Sequence, residues 1–383
     1  MVQYSGLRHF NDAKTRDRTI DRLLALRAGI ARDISPRNKQ ESFHLASWNI
    51  RDFGGHRLNP SPRSPESLLY IAEVISAFDL VAVQEVNENI AAFKKVTDLL
   101  GPHWNYIVTD QSGNMERLAF VFDTRKIRFR HIAGEIVLPK NKGINPDQFN
   151  RTPFMVAFQA GWFKFNICTV HIYYGSAKNL APRKREIHDI AEFFTKRQKK
   201  DKETYILLGD FNILNPDDPT MDALLGSGFK VPNELRRPTA LASGNYYDQI
   251  ALCTREKIVQ IEKAGCFHWQ DYVYREEIDY PTYKRFMPTK TKSGKPAKTD
   301  LAAYKKWRTW QMSDHLPLWT EIKMDFTESY LQSLQTDKEP LADFGVESGE
   351  SAKATTASKN PSKKKSTRKK AVKKKVTKRK KRQ

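Results

Sequence analysis

The run Tyr205-Ile206-Leu207-Leu208-Gly209-Asp210-Phe211-Asn212 decides the fold. It follows the charged segment 199–203, and an apolar run of this length predicts a buried β-strand. Asp210 and Asn212 stand two residues apart at its end, so their side chains project to the same side of the chain. Such an end is typical either of a strand entering an Asx turn or of a strand that carries functional groups.

Other apolar runs end in polar side chains in the same way. Residues 43–50, 80–86 and 163–171 read as buried strands, and they carry Asn49, Glu85 and His171 near their C-terminal ends. Asp314 and His315 come shortly before the last predicted strand, residues 319–324. The repetition favours a functional site at one end of a sheet over a set of unrelated turns.

Strands and helices alternate from residue 40 to residue 325 without a linker, which predicts a single α/β domain, residues 41–325. Apolar residues at helical spacing over 12–33 predict an N-terminal helical extension, residues 1–40, that packs outside this domain. Residues 326–383 are predicted to form a linker and a disordered polybasic tail, because their composition cannot bury enough apolar surface to fold alone.

The positive charge of the chain is concentrated in this tail. The 383 residues include 66 Lys and Arg against 44 Asp and Glu, a net charge of +22. From Ser351 onward there are 16 Lys and Arg, among them Lys363, Lys364 and Lys365, and no acidic residue. Such a segment is expected to bind polyanions, DNA above all, without sequence preference and with strong salt dependence. Nuclear localisation and attachment to an anionic membrane would need the same composition.

Cysteine usage and hydropathy bear on the compartment. Cys168, Cys253 and Cys266 are an odd number without metal-type spacing, which favours buried thiols in a reducing compartment. The sequence shows neither a secretory signal nor a run as long as a membrane span. We therefore expect an intracellular protein, cytoplasmic or nucleoid-associated in a bacterium and nuclear in a eukaryote.

The polar residues at the strand ends suit chemistry on an anionic oxygen centre. Carboxylates without a Cys/His cluster favour Mg²⁺ or Mn²⁺, with Ca²⁺ as a further candidate, over zinc. A metal neutralises charge, a carboxylate takes a proton from water, and imidazoles stabilise the developing charge. Phosphate ester cleavage fits this combination best.

The order of the motifs resembles that of the endonuclease/exonuclease/phosphatase superfamily over residues 43–324. The residues that carry the resemblance are Trp48-Asn49, Gln84-Glu85-Val86, Thr169-Val170-His171, Gly209-Asp210-Phe211-Asn212, Tyr247-Asp248-Gln249-Ile250 and Ser313-Asp314-His315-Leu316-Pro317. Met115-Glu116-Arg117 and Phe149-Asn150-Arg151-Thr152-Pro153 are similar to segments of its deoxyribonuclease I-like branch. The resemblance implies a four-layer α/β sandwich, two packed mixed β-sheets flanked by helices.

The resemblance also implies roles for individual residues. Glu85 would hold the divalent metal, with Asn49 and Asp314 nearby. Asp210, supported by Asn212, would orient and deprotonate the attacking water.

The remaining roles concern the substrate phosphate. His171 and His315 would contact the scissile phosphate, with Glu116 and Asp248 as the carboxylates that orient their rings. Arg151 would bind a phosphate oxygen.

Two positions depart from the deoxyribonuclease I-like pattern. Asn114 stands where that branch has a DNA-contacting tyrosine, and Asn87 stands where it has an arginine that reads a groove. Both departures bear on how duplex DNA would be held, and neither affects the hydrolytic residues.

A basic and aromatic segment, residues 283–310, lies directly before Asp314. Cations suit phosphates and aromatic rings suit exposed bases, so this composition predicts a nucleic-acid-contacting insertion. The cations are Lys284, Arg285, Lys305, Lys306 and Arg308, and the rings are Tyr283, Phe286, Tyr304, Trp307 and Trp310.

Together these features predict a divalent-metal-dependent phosphodiesterase, a DNA endonuclease of low sequence specificity. Its Lys-rich tail is similar to the tails of linker-histone-like proteins and would add nonspecific DNA affinity. We expect no small-molecule cofactor, and the sequence does not indicate an oligomeric state. The alternatives are a phosphatase or phospholipid phosphodiesterase of the same superfamily and a non-catalytic DNA-binding protein.

Overall fold

Two β-sheets form the centre of the chain in a computed structural model, which describes residues 2–37, 40–54, 62–139, 148–254, 259–291 and 293–335. In chain order, strands β1 to β11 of the described residues are Ser42–Phe53, Leu80–Val86, Trp104–Val108, Arg117–Asp123, Ile127–Glu135, Phe154–Ala160, Phe163–His171, Tyr205–Asp210, Asp248–Cys253, Ile261–Cys266 and Leu318–Lys323. Helices α1 to α8 are Ala13–Asp33, Pro65–Ser76, Ala91–Leu100, Ala181–Asp201, Pro219–Gly226, Glu276–Tyr283, Leu301–Gln311 and Thr327–Gln335.

Both sheets are mixed. Among the described residues, the first sheet has the spatial order β10-β11-β1-β2-β4-β3 and the second has the order β5-β6-β7-β8-β9. Strand β1 runs parallel to β2, and β7 runs parallel to β8, while the neighbouring pairs β1–β11 and β8–β9 are antiparallel.

Side-chain alternation explains why the sheets stack. In β1, Phe43 faces the second sheet, where its ring lies 5.5 Å from that of Phe165, centre to centre. Alternate residues of the same strand, such as Trp48, belong to a second core cluster that includes residues of α1, α2 and α7. A strand that is apolar on both faces must be covered on both faces, which places it inside a layered structure.

Helices cover the outer faces of the two sheets. Buried residues of α2 and α3 join the cluster on the outer face of the first sheet. Ile187, Ile190 and Phe194 of α4 belong to the same apolar cluster as the second sheet. The predicted four-layer sandwich of two mixed sheets flanked by helices is therefore confirmed.

The predicted N-terminal helix corresponds to α1, which is capped by Asp12 and packs on α2. Strands β3, β5 and β10 were not predicted, because many of their residues are polar and only partly buried. No described helix combines the length and apolar character that crossing a bilayer requires. The domain boundaries at residues 40 and 325 stay predictions, and the polybasic tail lies outside the described residues.

Candidate active site

The site lies at the rim of the sandwich where two parallel strand pairs end. Asn49 of β1 aligns with Gln84 of β2, directly before Glu85. His171, the last residue of β7, aligns with Asp210, the last residue of β8. Because parallel strands end on the same side of a sheet, these side chains converge from separate segments of the sequence.

Backbone distortions help to place the side chains. Glu85 has a φ of +60°, and the pairing of β2 with β4 shifts register between Val83 and Val86. Such bulges re-aim side chains and are frequent next to active sites. Gly209 has a φ of +128°, and a Cβ there would lie 2.1 Å from the carbonyl oxygen of Val170, so only glycine fits this approach of β8 to β7.

The Asp210 carboxylate lies at the centre of the site and is buried. Its Oδ1 accepts a hydrogen bond from the backbone N–H of Asn212, at 2.8 Å, and its Oδ2 accepts one from Asn49 Nδ2, at 3.0 Å. The Nε2 atoms of His171 and His315 lie 3.5 and 3.7 Å from the same Oδ2. The five predicted residues therefore meet around one carboxylate.

His315 is held from behind by Asp248. Its Nδ1 lies 2.7 Å from Asp248 Oδ2, and its ring packs against Tyr247 with ring centres 5.5 Å apart. Burial by itself would lower the pKa of His315, but the nearby carboxylates of Asp248 and Asp210 outweigh it and raise the pKa well above its usual value. The ring is therefore charged at neutral pH and presents Nε2–H to the site.

His171 has a matching arrangement with Glu116. The Glu116 Oε2 atom lies 3.1 Å from His171 Nδ1 and accepts a 2.8 Å hydrogen bond from Arg151 Nε. Burial would raise the pKa of Glu116, yet His171 and Arg151 lower it to about 2. Burial also opposes the charge on His171, and Glu116 and Asp210 overcome this effect, so the pKa of His171 is raised.

Glu85 and Asn49 form a buried group of oxygen ligands beside Asp210. Glu85 accepts hydrogen bonds from Asn49 Nδ2, at 2.9 Å, and from the backbone N–H of Asp52, at 2.8 Å. Burial raises the pKa of Glu85; His171 opposes the rise, whereas Glu116 and Asp314 add to it. The Oδ1 of Asn49 is buried without a hydrogen-bond partner.

These oxygens fit a hard divalent cation, which would partner the Asn49 oxygen and offset the crowded carboxylates. Within the described residues, however, no three His, Cys, Asp or Glu side chains are already grouped closely enough to hold a metal ion. Asp314, the third predicted ligand, lies with Oδ2 3.1 Å from Arg51 Nη1. The Arg51 guanidinium in turn stacks 3.6 Å from the ring centre of Trp310.

The supporting roles of three residues were not predicted from the sequence. Arg183 is buried, and its Nη1 donates a 2.6 Å hydrogen bond to the Asn212 carbonyl. Its place on the apolar face of α4, four residues before Ile187, was a signal that could have revealed it. Arg63 donates to the Asp52 carbonyl at 2.8 Å, and no sequence pattern marks it. Ser313, which begins the Ser313-Asp314-His315 motif but had no predicted role of its own, donates to the Asn49 carbonyl at 2.5 Å.

The basic segment 283–310 differs from its prediction. Tyr283, Tyr304, Trp307 and Trp310 are largely buried, so the expectation that these rings stack on exposed bases is wrong. Tyr283, Tyr304 and Trp307 pack in the core cluster on the outer face of the first sheet, whereas Phe286 is 45% exposed.

The cations of this segment divide into two groups. Arg308 is buried, and its guanidinium donates to the Tyr274 carbonyl at 3.0 Å and to Glu276 at 2.7 Å, so its predicted surface role is corrected. Lys305 pairs with Glu276 at 2.6 Å. The side chains of Lys284, Arg285 and Lys306 are exposed, and their contact with nucleic acid stays a prediction. Lys363, Lys364 and Lys365 lie outside the described residues.

Asn114 and Asn87, the two departures from the family pattern, differ in burial, and Asn114 is exposed. Asn87 is buried, and its Nδ2 donates to Asp52, next to the backbone N–H that binds Glu85. Asn87 therefore supports the C-terminal end of β1 and is not available to read a DNA groove.

Comparison with known proteins identifies the family to which the chain is similar. The model of the Endonuclease/Exonuclease/phosphatase family matches residues 46–249, which include Asn49, Glu85, His171, Asp210 and Asp248. Deoxyribonuclease-1 of Sus scrofa is 25% identical over 181 residues, a match that covers 45% of this chain and 60% of that protein. The chain thus spans about 60% of the length of this curated relative.

Three solved structures with a similar fold carry different descriptions. A functionally unknown conserved protein from Enterococcus faecalis V583 has 16% identity and a TM-score of 0.49, covering 74% of this chain and 100% of its own. TDP2 of D. rerio, complexed with single strand DNA product, has 14% identity and a TM-score of 0.47, with coverages of 74% and 99%. The mannosyl-6-phosphatase Bt3783 of Bacteroides thetaiotaomicron VPI-5482 has 16% identity and a TM-score of 0.46, with coverages of 73% and 99%.

Proposed function

The chain belongs to the Endonuclease/Exonuclease/phosphatase family, and from this we propose that it is a divalent-metal-dependent phosphodiesterase that hydrolyses DNA with low sequence specificity. One observation carries the proposal. The Nε2 atoms of two buried histidines face the same Asp210 oxygen, and each ring has a carboxylate, Glu116 or Asp248, beside its Nδ1. Two cationic donors opposite one proton acceptor suit the hydrolysis of an anionic ester.

The histidines supply positive charge where a phosphodiester would bind. The raised pKa values of His171 and His315 favour the charged form of each ring, in which Nε2 carries a proton. Each can donate a hydrogen bond to a non-bridging phosphate oxygen, and one of them can protonate the leaving oxygen. The energetic benefit is large because the groups are already oriented and shielded from water.

Asp210 is the residue that would take a proton from the attacking water. Its Oδ1 is held by the Asn212 backbone, which fixes the plane of the carboxylate, while its Oδ2 faces the histidines. A base within hydrogen-bond reach of the water typically contributes 10²- to 10⁴-fold to such a reaction. Arg183 keeps this turn in place through the Asn212 carbonyl.

Glu85 and Asn49 would hold the divalent cation, with Asp314 as a further ligand released from Arg51. When bound, the cation neutralises charge on the phosphate and lowers the pKa of a coordinated water. Arg151 is anchored to Glu116 through Nε, so its terminal nitrogens would bind a phosphate oxygen next to His171.

The proposal that DNA is the substrate rests on two features outside the active site. Sus scrofa Deoxyribonuclease-1 matches the chain at 25% identity. The sequence also ends in a tail with 16 cations and no acid, which would raise the local concentration of a long polyanion.

Nicking of supercoiled plasmid tests the proposal. Wild-type protein with Mg²⁺ or Mn²⁺ should relax the plasmid, EDTA should stop it, and His315→Ala should lower the rate by at least 10²-fold. His103→Ala is the matched control, since His103 is exposed and belongs to the loop before β3. Retardation of plasmid on a gel without nicking would contradict the proposal and favour a DNA-binding protein. Hydrolysis of a phosphomonoester or a phospholipid, but not of DNA, would favour the phosphatase alternatives.

A further inference from the structure

A basic groove lies between α7 and the turn that precedes it. It has a volume of about 480 Å³, within the range of roughly 300–1,000 Å³ that is typical of ligand pockets. We call it the lysine groove, and the residues that matter here are Lys290, Lys298, Lys306, Pro288, Trp307 and Trp310. The turn is closed by the pairing of Lys290 with Pro296 and by a 2.7 Å hydrogen bond from Thr291 N–H to the Lys295 carbonyl.

The charge of the lysine groove is of one sign. Lys290, Lys298 and Lys306 are exposed, and none of them forms an ion pair with a described carboxylate. Among the described residues, no Asp or Glu lines the groove. The neighbouring cations on α7 differ, because Lys305 and Arg308 both pair with Glu276, which does not line the groove. Three cations that converge without neutralisation indicate a binding site for an anion that carries several charges.

The shape of the groove argues for an extended strand. Trp307 and Trp310 are only 5% and 7% exposed, so they form a recessed apolar floor beneath the lysines. A bilayer surface is contacted by apolar side chains that protrude from a basic face. A concave groove with cations along its margins instead fits a chain of phosphates, which such grooves track in single-stranded nucleic-acid binding.

The lysine groove is connected to the active site through Trp310. The Arg51 guanidinium carbon lies 3.6 Å from the centre of the Trp310 ring, and Arg51 Nη1 lies 3.1 Å from Asp314 Oδ2. Helix α7 ends at Gln311, three residues before Asp314. A strand bound at the active site could therefore continue past Arg51 and Trp310 into the groove.

We propose that the lysine groove binds the sugar-phosphate backbone of the nucleic-acid strand on one side of the scissile phosphate. This inference rests on the proposed function, because it assigns the groove to the same substrate. It predicts that Lys290, Lys298 and Lys306 contribute to the affinity for strands of several nucleotides and contribute nothing to the hydrolysis of a small phosphodiester.

The test compares two triple variants of the full chain that lose the same charge. Lys290→Gln/Lys298→Gln/Lys306→Gln removes the groove cations, whereas the control Lys94→Gln/Lys200→Gln/Lys305→Gln removes three exposed lysines outside the groove. Binding of a fluorescent single-stranded 12-mer of DNA is measured by anisotropy between 0.05 and 0.5 M salt. Three lost contacts at about 0.7 each should reduce the slope of log K against log salt by about 2. If the two proteins bind equally at about 1 M salt, the groove variant then binds roughly 100-fold more weakly than the wild type at about 0.1 M. The control should keep the wild-type slope.

Further measurements separate this inference from the proposed function. Hydrolysis of bis(p-nitrophenyl) phosphate should be the same in the groove variant and the wild type, and both should show the same thermal midpoint. If wild type hydrolyses no diester but the groove variant still loses DNA affinity, the proposed function fails and the groove assignment stands. Equal slopes in the groove variant and the control would overturn the groove assignment. So would loss of binding to phosphatidylserine vesicles with unchanged DNA affinity.

A pair of single variants guards against a folding defect in the triple variant. Lys305 and Lys306 are adjacent exposed residues of α7, and Lys305 already pairs with Glu276. We expect Lys306→Gln to reduce the salt slope by about 0.7 and Lys305→Gln to leave it unchanged. A larger loss of salt slope in Lys305→Gln than in Lys306→Gln would contradict the assignment of the lysine groove.

Discussion

Gly209→Ala should separate the two strands that carry His171 and Asp210. The added Cβ would lie 2.1 Å from the Val170 carbonyl oxygen and 2.9 Å from the Val170 nitrogen. Both are backbone atoms, so no side chain can rotate to make room, and β8 must move away from β7. The next residue pair in the register is His171 with Asp210, so the displacement acts directly on the site.

The expected loss of stability is the sum of two energetic costs. A φ of +128° is strained for any residue with a side chain, at roughly 1–3 kcal/mol. Forcing an extra carbon into a packed core adds roughly 1–3 kcal/mol. We therefore expect the free energy of unfolding to fall by about 2–6 kcal/mol, together with a lower kcat on DNA.

Gly134→Ala is the matched control for this substitution. Gly134 lies on β5 of the same sheet, has no positive φ, and has no atom within 4 Å of the position of an added Cβ. It should change stability by no more than about 0.5 kcal/mol. Urea unfolding, read as a shift of the midpoint at constant m-value, measures both variants. Equal midpoints for the two variants would refute the argument from the close approach of β8 to β7.

Two further predictions concern the carboxylates behind the histidines. Glu116 has a pKa lowered from 4.5 to about 2, so its ion pairs stabilise the fold above pH 4.5, and this contribution, about 3 kcal/mol at most, is lost as the pH falls towards 2. Glu116→Gln should flatten that part of the plot of unfolding free energy against pH, and an unchanged acid limb would count against the Glu116–His171–Arg151 cluster. Asp248→Asn should lower kcat by roughly 10²- to 10⁴-fold with little change in DNA affinity. Because the carboxylate that raises the pKa of His315 is lost, the alkaline fall of kcat/KM should move to lower pH; an identical pH profile would exclude this role.

The layered fold could be predicted from long apolar runs such as the one that becomes β8, because a strand covered on both faces has few polar positions. Strand β10 escaped prediction because its residues are largely polar or partly exposed at the sheet edge. Strand order and register could not be predicted either, because they depend on contacts between residues far apart in sequence.

The residue types at the site were predictable, but part of their surroundings was not. Strand ends and motif order pointed to Asp210 and His315, which the structure brings together. The pairing of Asp314 with Arg51 depends on where α7 places Trp310, and no local pattern encodes it. The basic and aromatic composition of 283–310 predicts rings that meet exposed bases, yet the spacing on α7 directs Tyr304 and Trp307 into the core.

Single-turnover cleavage of a labelled DNA duplex by Asp210→Asn, with Mg²⁺ in excess, tests most directly whether this rim of the sandwich performs hydrolysis. Asparagine keeps the size of the side chain, so the fold and the dissociation constant for DNA should change little. The cleavage rate should fall by roughly 10²- to 10⁴-fold, because the amide cannot accept a proton from water. Cleavage by Asp210→Asn at the wild-type rate would contradict the assignment of Asp210 as the base and, with it, the proposed site of hydrolysis.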